Sequence, residues 1–82
     1  MTREKPYLNT NAGTVFVESR RRYPNHTTFT WLYVRTRDGR SVSLGDPWPC
    51  IMPAKREVLR SVGCVLGMPS CSIVALPPEV VA

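Results

Sequence analysis

The chain has 82 residues, of which 43% are hydrophobic and 21% charged, and 11 Lys and Arg stand against 6 Asp and Glu for a net charge of +5. This is the composition of one small folded domain and not of a disordered tail; its positive field favours polyanions or an acidic protein surface. No apolar run approaches the ~20 residues a membrane span requires. The first ten residues, MTREKPYLNT, hold no apolar signal core. Three cysteines, Cys50, Cys64 and Cys71, are an odd number without framework spacing. The expectation is therefore a cytoplasmic protein with buried free thiols and no membrane association.

Residues 1–13 are polar and end in the turn-prone run Asn9-Thr10-Asn11-Ala12-Gly13, which reads as a partly ordered N-terminal arm ahead of a single domain over 14–82. Residues 14–18 (TVFVE) make a first strand, and residues 19–27 (SRRRYPNHT) a loop. Residues 28–37 (TFTWLYVRTR) run into Asp38-Gly39 and on to residues 40–44 (RSVSL), a hairpin pattern. With a two-residue turn at Asp38-Gly39, Arg37 faces Arg40, Arg35 faces Val42 and Tyr33 faces Leu44. Phe29, Trp31, Tyr33, Arg35, Arg37, Arg40, Val42 and Leu44 then share one sheet face. Thr30, Leu32, Val34, Thr36, Ser41 and Ser43 share the other.

Gly45-Asp46-Pro47-Trp48-Pro49 is a rigid turn. Residues 53–66 (PAKREVLRSVGCVL) carry Val58, Leu59, Val62, Val65 and Leu66 at helical spacing, and Gly67 is placed to end the helix. Residues 71–76 (CSIVAL) read as a last strand stopped by Pro77-Pro78. The fold class is α+β: a small antiparallel sheet in β-β-β-α-β order with one packed helix. The helix is expected over the aromatic face, taken as the more apolar of the two, which leaves Leu32 and Val34 on a semi-polar outer face.

Enzymatic machinery is not expected. His26 is the sole histidine, and Glu4, Glu18, Asp38, Asp46, Glu57 and Glu79 show no spacing that specifies an acid–base pair. No cofactor loop precedes a helix, and Cys64 and Cys71 are too far apart in sequence for a paired zinc motif. The basic residues carry the functional signal. Nine of the eleven are Arg, the side chain whose planar fork suits phosphate. Arg20, Arg21 and Arg22 precede Tyr23, and Arg35, Arg37 and Arg40 surround the hairpin tip. These residues, with Lys55 and Arg56 at the helix start, are the candidate contacts to a DNA or RNA backbone. The row Phe29-Trp31-Tyr33 is a base-stacking platform only if the helix covers the opposite face.

Asp38-Gly39-Arg40, Leu44-Gly45 and Pro47, within a segment under half the chain, resemble the arm-type DNA-binding modules of phage-like integrases. In those modules a three-stranded sheet precedes a helix; the resemblance assigns no family. The alternative reading is a small phage-type inhibitor or adaptor, anti-CRISPR-like in its size and lack of an active site. It would bind a host protein complex with an acidic surface, using Leu32, Val34 and Trp48 as anchors. Oligomeric state is not legible.

Overall fold

A computed structural model describes residues 6–68 and 70–74. Four strands and a helix follow one another: β1 (Pro6–Thr10), β2 (Gly13–Arg22), β3 (Thr28–Thr36), β4 (Ser41–Ser43) and α1 (Lys55–Leu66). The strands form one antiparallel meander in the order β1-β2-β3-β4. The α+β class stands, with four strands before the helix in place of three.

The additional strand, β1, lies within the segment read as an arm. It is short and polar, and buries Leu8 and Thr10. Its turn to β2 closes on the Thr10 side chain: Oγ1 accepts from the amides of Ala12 and Gly13, both at 3.1 Å, and donates to the Gly13 carbonyl at 2.8 Å. Gly13 is there for space, because a Cβ at this position would stand 2.4 Å from the Arg35 carbonyl oxygen.

β2 also runs further than the expected residues 14–18. Its register against β3 shifts between Val17 and Ser19 and then continues through Arg20↔Thr30, Arg21↔Phe29 and Arg22↔Thr28. The Arg run is thus strand, and the residue inserted at the irregularity is Glu18. The turn that follows places His26 at φ 69°, a left-handed conformation.

The β3–β4 hairpin departs from expectation by a single residue. Its loop is residues 37–39: the Thr36 amide donates to the Arg40 carbonyl at 2.8 Å, and Gly39 takes φ 91°. A three-residue loop with its last residue left-handed satisfies Asp-Gly as well as the two-residue turn does. The pairs become Tyr33↔Ser43, Val34↔Val42 and Arg35↔Ser41. A one-residue slip turns every side chain of β4 to the other face. Val42 and Leu44 therefore join Leu32 and Val34, and Ser41 and Ser43 join the aromatic face.

That exchange decides where the helix lies. Leu8, Ala12, Val15, Leu32, Val34 and Leu44 form one buried cluster with Val58 and Val62 of α1. The helix covers the aliphatic face, so the expectation that it covers the aromatic face is corrected. Rows of Leu, Val and Thr make a smooth surface on which a helix sits closely, whereas the aromatic face carries Arg21 and Arg35, whose burial would be costly. The three buried threonines have their hydroxyls satisfied; Thr30, for example, donates to the Cys50 carbonyl at 2.6 Å.

Gly67 ends α1 in a left-handed conformation (φ 66°), and the Met68 amide returns to the Gly63 carbonyl at 2.9 Å. Past the end of β4, Trp48 pairs with Thr30, both backbone bonds being 2.9 Å. Of the last expected strand, residues 71–74 run beside β1 and bridge it at Ile73 alone, while residues 75–76 and the Pro77-Pro78 stop lie outside the described residues. No helix among the described residues is long and apolar enough to cross a membrane.

Candidate nucleic-acid interface

The face of the sheet turned away from α1 is built by alternation. On β2 it carries Thr14, Phe16, Ser19 and Arg21; on β3, Phe29, Trp31, Tyr33 and Arg35; on β4, Ser41 and Ser43. Phe16 and Tyr33 are directly opposed and stack with ring centroids 5.5 Å apart at 23°. The Arg35 guanidinium lies over both rings, 5.1 Å from the Phe16 centroid and 5.8 Å from that of Tyr33. Further along, Tyr23 meets Phe29 edge-on at 5.1 Å, and Arg21 stands opposite Phe29. Phe16, Phe29, Trp31 and Tyr33 are all half-buried, Phe16 and Tyr33 packing on each other and Phe29 on Tyr23.

The irregularity at Glu18 sets this arrangement. Uninterrupted alternation from Phe16 would place Glu18 and Arg20 on the open face. The inserted residue instead brings Ser19 opposite Trp31 and Arg21 opposite Phe29, while Arg20 falls in line with buried Thr30. A cleft of about 390 Å³ opens here, lined by Glu18, Ser19, Arg20, Arg21 and Trp31.

The expected basic contacts divide accordingly. Arg21 and Arg35 stand on the open face among the rings. Arg20 is turned to the helix side, where Nε and Nη2 donate to the Ile51 carbonyl at 3.3 and 3.1 Å. Arg22 approaches His26, its Nη2 lying 3.1 Å from Nδ1. At the hairpin tip, Arg37 donates to the Asn11 carbonyl at 3.0 Å, and Arg40 pairs with Asp38 at 3.0 Å with both groups exposed. The expected opposition of Arg37 and Arg40 is absent, since Arg40 follows the three-residue loop and stands beside Thr36. The Thr36 hydroxyl donates to Asp38, and that bond, followed by the Arg40 charge, holds the Asp38 carboxyl below its ordinary range. Lys55 and Arg56 are exposed on the first turn of α1, in the layer behind the sheet, and do not join the aromatic face.

The anchors expected for a protein partner are also relocated. Leu32 and Val34 are 1% and 0% exposed beneath the helix, so neither is available for contact. Trp48 packs half-buried against the same core. Tyr23, expected beside the Arg run as a stacking residue, joins the aromatic set through Phe29, whereas Phe16 was missed. Phe16 was legible within the strand TVFVE, since alternation places it opposite to Val15 and Val17.

Among the described residues no group of three His, Cys, Asp or Glu side chains is placed to hold a metal ion; all three cysteines are free thiols, but none is buried as expected, Cys64 being exposed and Cys50 and Cys71 half-buried. No family model, curated protein or solved structure matches the chain.

Proposed function

We propose that this protein binds single-stranded nucleic acid across the open face of its sheet. The observation that carries the reading is the row Phe16, Phe29, Trp31 and Tyr33 on the sheet face opposite α1, with Arg21 and Arg35 set among the rings. Sheets that bind single strands place successive bases on such rings and meet the phosphates with nearby cations; each stacked base contributes about 1–3 kcal/mol. Unpaired bases offer their flat faces, whereas a duplex hides them, so the chemistry selects single strands. Arg35 is held in place by its two rings, which lowers the entropy lost when a phosphate binds. Ser41 and Ser43 extend the face with hydroxyls suited to sugar and phosphate oxygens.

The test is a salt titration of binding to short single- and double-stranded DNA and RNA. Micromolar or tighter binding to single strands that survives near physiological salt, with duplex binding markedly weaker, supports the proposal. Equal affinity for duplex and single strand refutes the stacking mode. Failure to bind any polymer at physiological salt refutes the proposal as a whole and directs the search to a protein partner.

A further inference from the structure

We infer that the cleft beside Trp31 is a base-specific subsite that takes guanine; this rests on the proposed single-strand binding and deepens it. The starting point is a charge in an unexpected place. On a face otherwise bearing Arg21 and Arg35, the cleft is lined by a carboxylate, Glu18, put there by the insertion between Val17 and Ser19. A carboxylate repels phosphate and can only accept hydrogen bonds. Arg20 and Arg21 line the same cleft, so its chemistry suits an occupant that offers N–H donors to the carboxylate while its phosphate meets a guanidinium.

The other walls narrow the choice. Trp31 supplies an indole for stacking, Ser19 a hydroxyl, and Arg21 a cation for the phosphate of the same nucleotide. The volume, about 390 Å³, is at the lower end of the ~300–1,000 Å³ typical of ligand clefts. A flat base stacked on the indole turns its edge to the other lining residues, Glu18 among them. Guanine alone among the common bases presents two adjacent donors there, the ring N1–H and the exocyclic amine, which match the two oxygens of a carboxylate. Hydrogen bonds to an ionised acceptor are about twice as strong as neutral ones. Adenine and cytosine offer one amino group beside an acceptor nitrogen. Thymine and uracil offer one N–H flanked by two carbonyl oxygens, which the carboxylate repels. Bulged strands commonly re-aim a side chain in this way at functional sites.

The test compares short oligothymidylate strands that differ in one central base, measured with the full chain and with Glu18→Gln. The expected result is that a single guanine tightens binding about tenfold over thymine, and that inosine, which lacks the exocyclic amine, loses most of that gain. Glu18→Gln should abolish the guanine preference while leaving oligothymidylate binding equal or tighter, because a negative charge near the phosphates is gone. Binding that is equal for all bases, or a guanine preference that survives Glu18→Gln, overturns the subsite and leaves the stacking face standing. Failure of every strand to bind overturns both.

Discussion

Trp31 and Leu32 are neighbours on one strand with opposite assignments, and replacing each by Ala separates the two faces of the sheet. Leu32 is 1% exposed and packed with Val15, Val34 and Val58. Its truncation leaves a cavity and should cost about 2–5 kcal/mol of stability. A domain of this size has only about 4–12 kcal/mol in all, at ~0.05–0.15 kcal/mol per residue. The melting temperature should therefore fall by about 10 °C or more. Trp31 is half-buried on the open face, so its truncation should cost less and leave the chain folded. Affinity for single strands should drop instead by the stacking of one base, about 1–3 kcal/mol, which is roughly 5- to 150-fold in Kd. Denaturant unfolding read by far-ultraviolet circular dichroism gives the first quantity, and fluorescence anisotropy with a labelled oligonucleotide the second. A Trp31→Ala protein that unfolds beside a stable Leu32→Ala protein would refute the assignment of faces, and the functional reading with it.

The positions of the arginines predict unequal salt effects. Arg21→Ala should weaken binding and lower the log–log salt slope by about 0.7, the value of one single-strand phosphate contact. Arg40→Ala, whose charge is already met by Asp38 at the hairpin tip, should leave the slope unchanged in the same titration. Gly13→Ala should destabilise the domain by about 1–3 kcal/mol in denaturant unfolding, since the added methyl would meet the Arg35 carbonyl oxygen at 2.4 Å and push β2 from β3. Tyr7 gives a pH dependence. Its hydroxyl donates to the Pro53 carbonyl, and burial, followed by the nearby Cys50, raises its pKa above the ordinary 10.0. A raised phenol pKa means that the neutral form is favoured in the fold. The stabilisation is present below the unfolded value and lost as pH climbs through the folded one. Melting curves above pH 10 should therefore fall more steeply for the parent protein than for Tyr7→Phe.

The helix was legible because Val58 and Val62 recur at helical spacing and Gly67 gives a sharp stop. The α+β class followed from it and from the strand-forming run of residues 28–36. The faces were not legible from the turn, because Asp38-Gly39 fits both a two-residue and a three-residue loop, and the two differ by the residue that exchanges faces. The hydrophobic pattern contained the better signal. Only the slipped register puts Val42 and Leu44 beside Val34 and Leu32, and so gathers the aliphatic side chains on one side. β1 was hidden because its burial depends on Leu8 and on a threonine whose hydroxyl is satisfied locally, which gives no apolar alternation. The split of the Arg run between two faces was equally hidden. An inserted residue in a strand has no composition of its own, and the displaced alternation shows only against the partner strand.

The cost of leaving the aromatic row outside bears on its meaning. Full burial of a large apolar side chain contributes roughly 1.5–3 kcal/mol, and a small domain has few such side chains to use. Here the interior is made from Leu, Val, Ala and Thr, while Phe16, Phe29, Trp31 and Tyr33 remain half-exposed. Placing the rings under the helix would bury Arg21 and Arg35 with them, so the exposure of the rings goes with the two arginines set among them. The stack of Phe16 on Tyr33 and the guanidinium over it recover part of the loss, but each such contact contributes only about 0.5–1.5 kcal/mol. What the arrangement provides in return is a surface of π-faces and cations on the side of the sheet opposite α1. Its side chains need little reordering to receive a strand. The same reasoning applies to Glu18: a fold that only needed to attract a polyanion would not set a carboxylate into the cleft beside Trp31. The forgone burial argues for bases as the occupants of the face, and the misplaced charge argues for discrimination among them.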